Sequence, residues 1–182
     1  QNQTIVVDAR PYPIEGIESL ARELVALHRT GWRKFAVLHC HGHRFIGNGF
    51  GPDTDDVYMD VFGSVGDYLG SGSDGMTIIM HGNGQDQIAQ IHKRGTLVIH
   101  GDVGQCYGYG AKGGELFVRG NAAGRPMINS VGSPKLVVNG TALDYLAESF
   151  MAGDPLEGGG FVVVNGIRVN GRGEVEELDT PY

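Results

Sequence analysis

The sequence predicts an all-β fold, a solenoid of stacked parallel β-strands with about seven rungs, preceded by one N-terminal α-helix. Three observations predict it: apolar runs that each end in glycine, a nearly constant interval between those glycines, and an alternation of apolar and polar residues within each run. A repeat of about 20 residues with one β-type run per unit is typical of a solenoid in which every turn adds one strand to a stacked sheet.

The glycines that end the apolar runs define the repeat. They are Gly42, Gly63, Gly82, Gly101, Gly120, Gly140 and Gly166. The first five intervals are each about 20 residues long, and the last, from Gly140 to Gly166, is longer. The last interval contains an additional segment, residues 143–159, that we expect to loop out of the stack.

Two columns of apolar residues predict the interior of the solenoid. Two residues before each glycine stand Cys40, Val61, Met80, Ile99, Val118, Val138 and Val164, and four residues before stand Leu38, Met59, Ile78, Leu97, Leu116, Leu136 and Val162. Side chains two residues apart share one face of a strand. We therefore expect both columns to point inward. The glycines themselves should turn the corners, where a side chain would crowd the neighbouring rung.

Two other columns should point outward. The residue before each glycine is mostly polar: His41, Phe62, His81, His100, Arg119, Asn139 and Asn165. The residue three before the glycine begins as His39 and Asp60 and continues as an apolar stripe, formed by Ile79, Val98, Phe117, Val137 and Val163. Such a stripe, roughly 20 Å long at about 4.8 Å per strand, should not face water. We predict that this stripe and a polar ladder of His81, His100 and Arg119 contact a partner.

The chain divides into three predicted segments. Residues 1–33 should form a strand and helix cap, residues 34–170 the solenoid, and residues 171–182 a C-terminal tail. The helix is predicted from Glu15 to Thr30, and the first solenoid strand from Lys34 to His41. The apolar side of the helix carries Ile17, Leu20, Leu24 and Leu27, and Gly31 is a stop signal. This helix is one candidate cover for the apolar stripe.

Composition excludes several classes of protein. The net charge is −7 over 182 residues, and the 14 Lys and Arg residues are scattered along the sequence, which argues against nucleic acid and anionic membranes as partners. No apolar run approaches the roughly 20 residues of a spanning helix, and the first residues lack a signal-peptide pattern. We therefore expect a cytoplasmic protein.

Cysteine and histidine leave one metal hypothesis open. Cys40 and Cys106 are expected to be reduced thiols, and two cysteines cannot supply the four thiolates of a cubane iron–sulfur cluster. The run HCHGH, His39 to His43, contains good zinc or copper ligands. On a strand, however, Cys40 faces away from its histidine neighbours, and no second pair of ligands lies nearby. No metal site is assigned, although the sequence does not decide whether this run binds one.

No catalytic constellation is predicted. The glycine clusters Gly63 to Gly72 and Gly101 to Gly110 are followed by further β-type runs rather than a helix or a Walker lysine, so we interpret them as solenoid corners and not as phosphate loops. His81 and His100 should be neighbours on adjacent rungs, but no carboxylate in their column would orient them. The acidic run around Asp53 is interpreted as a turn.

The repeated glycines of GDVGQCYGYGAKGGELFVRGNAAG, Gly101 to Gly124, resemble the GXGXG domain, the right-handed parallel β-helix at the C-terminal end of the glutamate synthase large subunit. The similarity covers about Phe35 to Gly166. Free-standing relatives in the family are similar to small subunits of split glutamate synthase-like enzymes, including N-methylglutamate synthase, and to the GXGXG-containing subunit of formylmethanofuran dehydrogenase. The resemblance therefore implies a right-handed winding.

The resemblance also implies a function. In glutamate synthase the β-helix is a structural partner, glutamine hydrolysis belongs to a class II amidotransferase, and reductive amination belongs to an FMN-binding barrel with an iron–sulfur cluster. We expect a noncatalytic docking subunit with no cofactor of its own, whose partners are those two subunits or a second copy of itself. A formylmethanofuran dehydrogenase-type complex is the alternative. A left-handed hexapeptide-repeat acyltransferase, whose turns are shorter, fits the intervals poorly.

Overall fold

The computed structural model of the chain describes residues 3–154, 157–170 and 175–177. One helix, α1 (Leu20–Arg29), follows the first strand. The strands are β1 (Thr4–Asp8), β2 (Lys34–His43), β3 (Tyr58–Val65), β4 (Asp74–Gly84), β5 (Arg94–Ile99), β6 (Glu115–Val118), β7 (Lys135–Val138), β8 (Phe161–Val164), β9 (Ile167–Asn170) and β10 (Val175–Glu177). Of the predicted tail 171–182, the structure describes only Val175–Glu177.

All ten strands form one sheet in which sequence order is spatial order. Strands β1 to β8 pair in parallel, β9 pairs with β8 in antiparallel fashion, and β10 pairs with β9 in antiparallel fashion. The chain is thus an all-β protein with a parallel β-solenoid of about five turns and one short helix. This confirms the predicted class, whereas the count of seven rungs stays a prediction.

Twelve of the fourteen predicted interior residues are buried. They are Cys40, Val61, Met80, Ile99, Val118, Val138, Met59, Ile78, Leu97, Leu116, Leu136 and Val162. Val164 is only partly buried, and Leu38 is partly exposed, so the expectation for Leu38 is wrong. A bulge explains it: His39 has a φ of 60°, and Phe35 and Val37 take the register positions beside the next strand. Both are fully buried.

The second side of each turn is built from consecutive β-turns rather than from a strand. Cys106 O accepts the Tyr109 N–H at 3.1 Å, and Gly108 O accepts the Ala111 N–H at 3.0 Å. The third residues of these turns, Gly108 and Gly110, have φ values of 68° and 62°. Positive φ at that position is the requirement of a type II turn and favours glycine. The paired glycines of the repeat therefore serve these turns.

Hydrogen bonds connect the second sides of successive turns. Gly108 N–H donates to Ile88 O in the preceding turn at 2.8 Å, and Gly110 N–H donates to Ile128 O in the following turn at 2.9 Å. Other turns place Ala89 and Ile91 at the equivalent positions with φ values of 57° and 54°. A β-branched residue such as isoleucine is rarely found there. Stacking therefore holds residues that would not adopt this conformation alone.

The glycines that end the strands meet the preceding turn closely, as the sequence predicts. A Cβ atom at Gly101 would lie 2.7 Å from Gly82 O, and one at Gly120 would lie 2.6 Å from Gly101 O. Polar residues after these glycines connect the corners. Asp102 N–H donates to Asn83 Oδ1 at 2.9 Å. The Asn121 N–H donates to Asp102 Oδ1 at 2.7 Å. The side-chain oxygen at each corner thus accepts a hydrogen bond from the backbone of the corner in the next turn.

Helix α1 is shorter than predicted and closes the N-terminal end of the solenoid. Leu20 and Leu24 are fully buried and belong to the core, while Ile17 precedes the helix and is 86% exposed. Val25 Cγ2 lies 3.6 Å from the position that a Cβ at Gly49 would take, and the ring centroid of His28 is 4.9 Å from that of Phe50. These contacts are with the first turn, so α1 lies away from the apolar stripe, which begins on β4.

In the described part of the chain, no helix has both the length and the apolar character needed to cross a membrane.

Candidate functional site

The outer face of the sheet carries three rows of side chains. The strand register places Asp60 and the apolar stripe in one row that crosses β3 to β8. The row on one side consists of Tyr58, Thr77, Thr96, Glu115, Lys135 and Phe161. On the other side Phe62 pairs with His81, and His100 follows on the next turn. A central apolar row is therefore flanked by mainly polar rows.

The apolar stripe is not uniformly accessible. Ile79, Val98 and Phe117 are partly exposed, whereas Val137 is 7% exposed and Val163 only 1% exposed. The chain itself thus covers the end of the stripe on β7 and β8. The part left partly open lies on three adjacent strands, β4 to β6, and we call it the open patch: Ile79, Val98 and Phe117.

Aromatic contacts connect the polar ladder. The ring centroids of His81 and His100 lie 4.8 Å apart in an edge-to-face arrangement. Phe62 stacks on the other side of His81 with a centroid distance of 4.3 Å. Arg119 on the following turn is exposed. The ladder forms a polar and aromatic border beside the open patch.

A carboxylate does orient one of these histidines, which corrects the sequence interpretation. His81 Nε2 lies 2.7 Å from Asp60 Oδ1, and the Tyr58 hydroxyl donates to the same oxygen at 3.4 Å. Asp60 lies outside the column of the histidines, in the neighbouring row and one strand earlier. Its position at the polar start of the stripe was the signal that could have revealed it. The pair lies on an open sheet face, so it fixes a ring orientation at the border of the patch.

The HCHGH run separates its potential ligands. His39 Nδ1 lies 3.2 Å from Asp8 Oδ1, while His43 Nδ1 accepts the His41 N–H at 3.1 Å. Cys40 points into the core, where burial raises the pKa of its thiol to about 12. Among the described residues, no group of three or more His, Cys, Asp or Glu side chains could hold a metal ion.

The two glycine clusters that resemble nucleotide loops lie in corners and second-side turns. Gly70 and Gly72 occupy left-handed turn positions in the first cluster, as Gly108 and Gly110 do in the second. The next element after the second cluster is strand β6 rather than a helix. A phosphate at a helix N-terminus therefore has no place there.

Two grooves mark the surface of the described residues. One, of about 630 Å³, lies between α1 and the first turn and mixes both signs of charge. The other, of about 420 Å³, borders the outer sheet face, and we call it the basic groove. It is lined chiefly by Lys93, Arg94, Lys112, Gly113, Gly114, Glu115 and Lys135. Lysines that are scattered along the sequence thus lie side by side here, because the repeat brings them together.

Comparisons with known proteins identify no relative: no protein-family model matches the chain, and no match is found among curated proteins or solved structures.

Proposed function

We propose that this chain is a noncatalytic docking subunit of a glutamate synthase-like complex, in which partner subunits carry a glutamine-dependent, FMN-linked reductive amination. The observation that carries the proposal is the open patch of Ile79, Val98 and Phe117, which lies partly exposed at the centre of a sheet face between two polar rows. An apolar centre with a polar border is the usual composition of a protein interface.

Phe117 is the anchor of this interface. It lies on β6 between Val98 and the covered Val137. Large aromatic side chains at the centre of an interface often contribute about 2 kcal/mol or more to binding. The Asp60–His81 pair and Arg119 supply directional polar groups at the border. At interfaces of this kind, charged groups contribute more to the specificity of binding than to its affinity.

The identity of the partners is supported by the resemblance of residues 101–124 to the GXGXG domain. The partners are a class II glutamine amidotransferase subunit and an FMN-binding synthase subunit. FMN and an iron–sulfur cluster belong to these partners, and this chain carries no cofactor. The complex works in the cytoplasm.

The solenoid winds with a right hand and has seven rungs, from the run that ends at Gly42 to the run that ends at Gly166. Two considerations support this detail. Parallel strands joined by crossover connections are right-handed in nearly all proteins, and the strand register joins β2 to β8 in one parallel series.

Co-expression with the two partner subunits tests the proposal. Phe117→Asp should abolish co-purification while circular dichroism still reports a folded solenoid, because this side chain is outside the interior columns. Tyr145→Asp is the matched control, since Tyr145 is 61% exposed and lies outside the outer sheet face. Val98→Asp is the second test should Phe117→Asp fail to fold. A folded Phe117→Asp variant that assembles like the wild type would refute the docking role.

The noncatalytic part of the proposal has its own test. The purified chain should neither release ammonia from glutamine nor bind FMN stoichiometrically. The glycine clusters that resemble nucleotide loops serve solenoid turns, and β4 and β6 follow them, so they offer no phosphate loop for FMN. Ammonia release by the isolated chain, or one flavin per chain after gel filtration, would overturn this part.

A further inference from the structure

We infer that the basic groove binds an extended acidic segment of the docking partner. The inference rests on the proposed function only for the identity of the protein that carries this segment. Three of the four lysines in the chain, Lys93, Lys112 and Lys135, line this one groove, although the whole chain has a net charge of −7. Carboxylates beside the groove pair with part of this charge, but among the lining residues themselves four cations face one carboxylate, Glu115, which favours an anionic ligand.

The lysines are available to a ligand, whereas the arginine is not. Arg94 Nε lies 2.7 Å from Asp74 Oδ1, and its Nη1 lies 2.9 Å from Asp55 Oδ1. The ammonium of Lys93 is 3.7 Å from Asp74 Oδ2, a looser contact on a half-exposed side chain. For Lys112 no ion pair is found within the described ranges. Arg94 therefore holds the loop that contains Asp55 against the start of β4. The side chains of the lysines are exposed to solvent.

Lys135 has one neighbour of opposite charge. Its ammonium lies 3.6 Å from Glu115 Oε1, and both side chains are nearly half exposed. Exposed pairs of this kind contribute little to stability. A ligand carboxylate can therefore replace Glu115 as the partner of Lys135 at little cost.

Glycine leaves the floor of the groove as bare backbone. A Cβ at Gly114 would lie 2.6 Å from His92 Nε2, and a Cβ at Gly113 would lie 2.5 Å from Lys93 O. No larger residue fits at these positions without a shift of its neighbours. Because these contacts lie inside the protein, both glycines are required for the close packing of neighbouring turns beneath the groove.

The spacing of the lysines fits a row of carboxylates better than a compact phosphate. Lys93 and Lys112 occupy the same corner of adjacent turns, and Lys135 begins β7 on the turn after that. With strands about 4.8 Å apart, Lys93 and Lys135 are separated by about 10 Å along the stacking direction, and Lys135 is also displaced along the chain because it pairs with Glu115. Side chains on one side of an extended peptide repeat about every 7 Å. Carboxylates on alternate residues of such a peptide are therefore spread over a length similar to that of the lysines.

A compact phosphate would need donors that converge on one point, which a pre-organised arginine fork provides best. The arginine of this groove is already held by Asp55 and Asp74.

The groove is continuous with the proposed docking face. Thr96, Glu115 and Lys135 line the groove and also form the outer-face row beside the apolar stripe. A partner seated on Phe117 can therefore extend one acidic segment into the groove. The lysines would then accelerate association and select the partner by charge.

Fluorescence anisotropy with a fluorescein-labelled hexaglutamate peptide tests the inference on the full chain. We expect binding at about 20 mM salt that weakens strongly by about 300 mM, because exposed charges are screened. The triple variant Lys93→Gln, Lys112→Gln, Lys135→Gln should lose about tenfold or more in affinity. The control variant Arg22→Gln, Arg29→Gln, Arg125→Gln removes the same charge elsewhere and should change affinity less than about twofold.

The inference would be overturned if the wild type did not bind the peptide at low salt, or if both triple variants lost the same affinity. It would also be overturned if inorganic phosphate displaced the peptide at or below the concentration at which unlabelled hexaglutamate displaces it. That result would assign a phosphate site. Peptide binding does not require Phe117, so it survives a failure of the proposed function. Conversely, if the lysine variant joins the complex with wild-type affinity while Phe117→Asp does not, the groove inference fails and the docking role stands.

Discussion

Asp60 Oδ1 and His81 Nε2 are 2.7 Å apart across the adjacent strands β3 and β4, and Phe62 stacks on the same imidazole ring. The hydrogen bond and the stack together fix the ring at the border of the open patch. Each side chain of the pair is 29% exposed. The contact therefore orients a surface group more than it stabilises the fold.

Asp60→Ala should change the free energy of unfolding by less than about 1 kcal/mol, because partly exposed ion pairs contribute little. The same variant should weaken assembly with the partner subunits, since His81 loses its fixed orientation. Urea denaturation and co-purification measure the two effects, with Asp144→Ala, at an exposed side chain away from the outer sheet face, as control. A loss of several kcal/mol would show that the pair is structural.

Ile99→Ala should lower the free energy of unfolding by about 2–5 kcal/mol, because Ile99 is fully buried in the middle of the stack and its truncation leaves a cavity. Thr96→Ala, on the outer face of the same strand, should cost less than about 1 kcal/mol. Urea denaturation compares the two variants. Equal losses would mean that the inner and outer faces of β5 are assigned the wrong way round.

Gly70→Ala and Gly72→Ala separate backbone strain from crowding. Both glycines have positive φ, 64° and 72°, so each substitution costs roughly 1–2 kcal/mol of strain. A Cβ at Gly72 meets no atom within 4 Å, whereas one at Gly70 overlaps Leu97 Cδ1 and lies 3.3 Å from Ile78 Cδ1. Thermal denaturation should therefore show the larger loss for Gly70→Ala. A larger loss for Gly72→Ala would contradict this account of the turns.

Ile91→Gly should stabilise the protein by up to about 1 kcal/mol. Ile91 has a φ of 54° and is 43% exposed, so glycine relieves left-handed strain and removes little buried area. The gain is limited because glycine also increases the entropy of the unfolded chain. Ile88→Gly is the control: Ile88 is fully buried, and its replacement should be strongly destabilising. If a urea titration showed that Ile91→Gly lowers the free energy of unfolding, the proposed backbone strain at Ile91 would be refuted.

The stability of the protein should fall in mild acid because of His92. This side chain is 1% exposed, and burial holds its pKa below the ordinary value of 6.5. The unfolded chain then binds a proton more readily than the folded chain. Stability is fully present above pH 6.5 and decreases as the pH falls through that value towards the depressed folded pKa. His92→Gln should flatten this dependence in urea titrations at several pH values; an unchanged slope would exclude His92 as the cause.

The rows of the sheet were predictable because two periods coincide in the sequence. The alternation of apolar and polar residues identifies the inner face of each strand. The repeat of about 20 residues, which the glycines mark, then places Ile78, Leu97 and Leu116 in one row. The bulge at His39 was not predictable. Leu38 is apolar like the buried residues before it, so the pattern alone did not reveal the changed register.

The second side of the solenoid was harder to predict. Its turns need residues with positive φ. The glycine at position 108 indicates this conformation in the sequence, whereas Ala89 and Ile91 adopt it without any such indication. Those residues adopt the conformation only because neighbouring turns bond their backbone. The Asp60–His81 contact was missed for a related reason: it joins two different columns, which column-by-column inspection does not compare.

The reversal of strand direction at β9 limits how copies of this protein can associate. A terminal turn that repeats the interior pattern offers its backbone to another molecule, and a series of such contacts builds a fibre. Helix α1 closes one end of this solenoid, and the antiparallel strands β9 and β10 follow β8 at the other. At the N-terminal end, β1 is still a parallel edge strand. At the C-terminal end, β9 and β10 replace the parallel register of the interior turns with an antiparallel one. Head-to-tail stacking that continues the parallel register through both ends would therefore first require removal of β9 and β10.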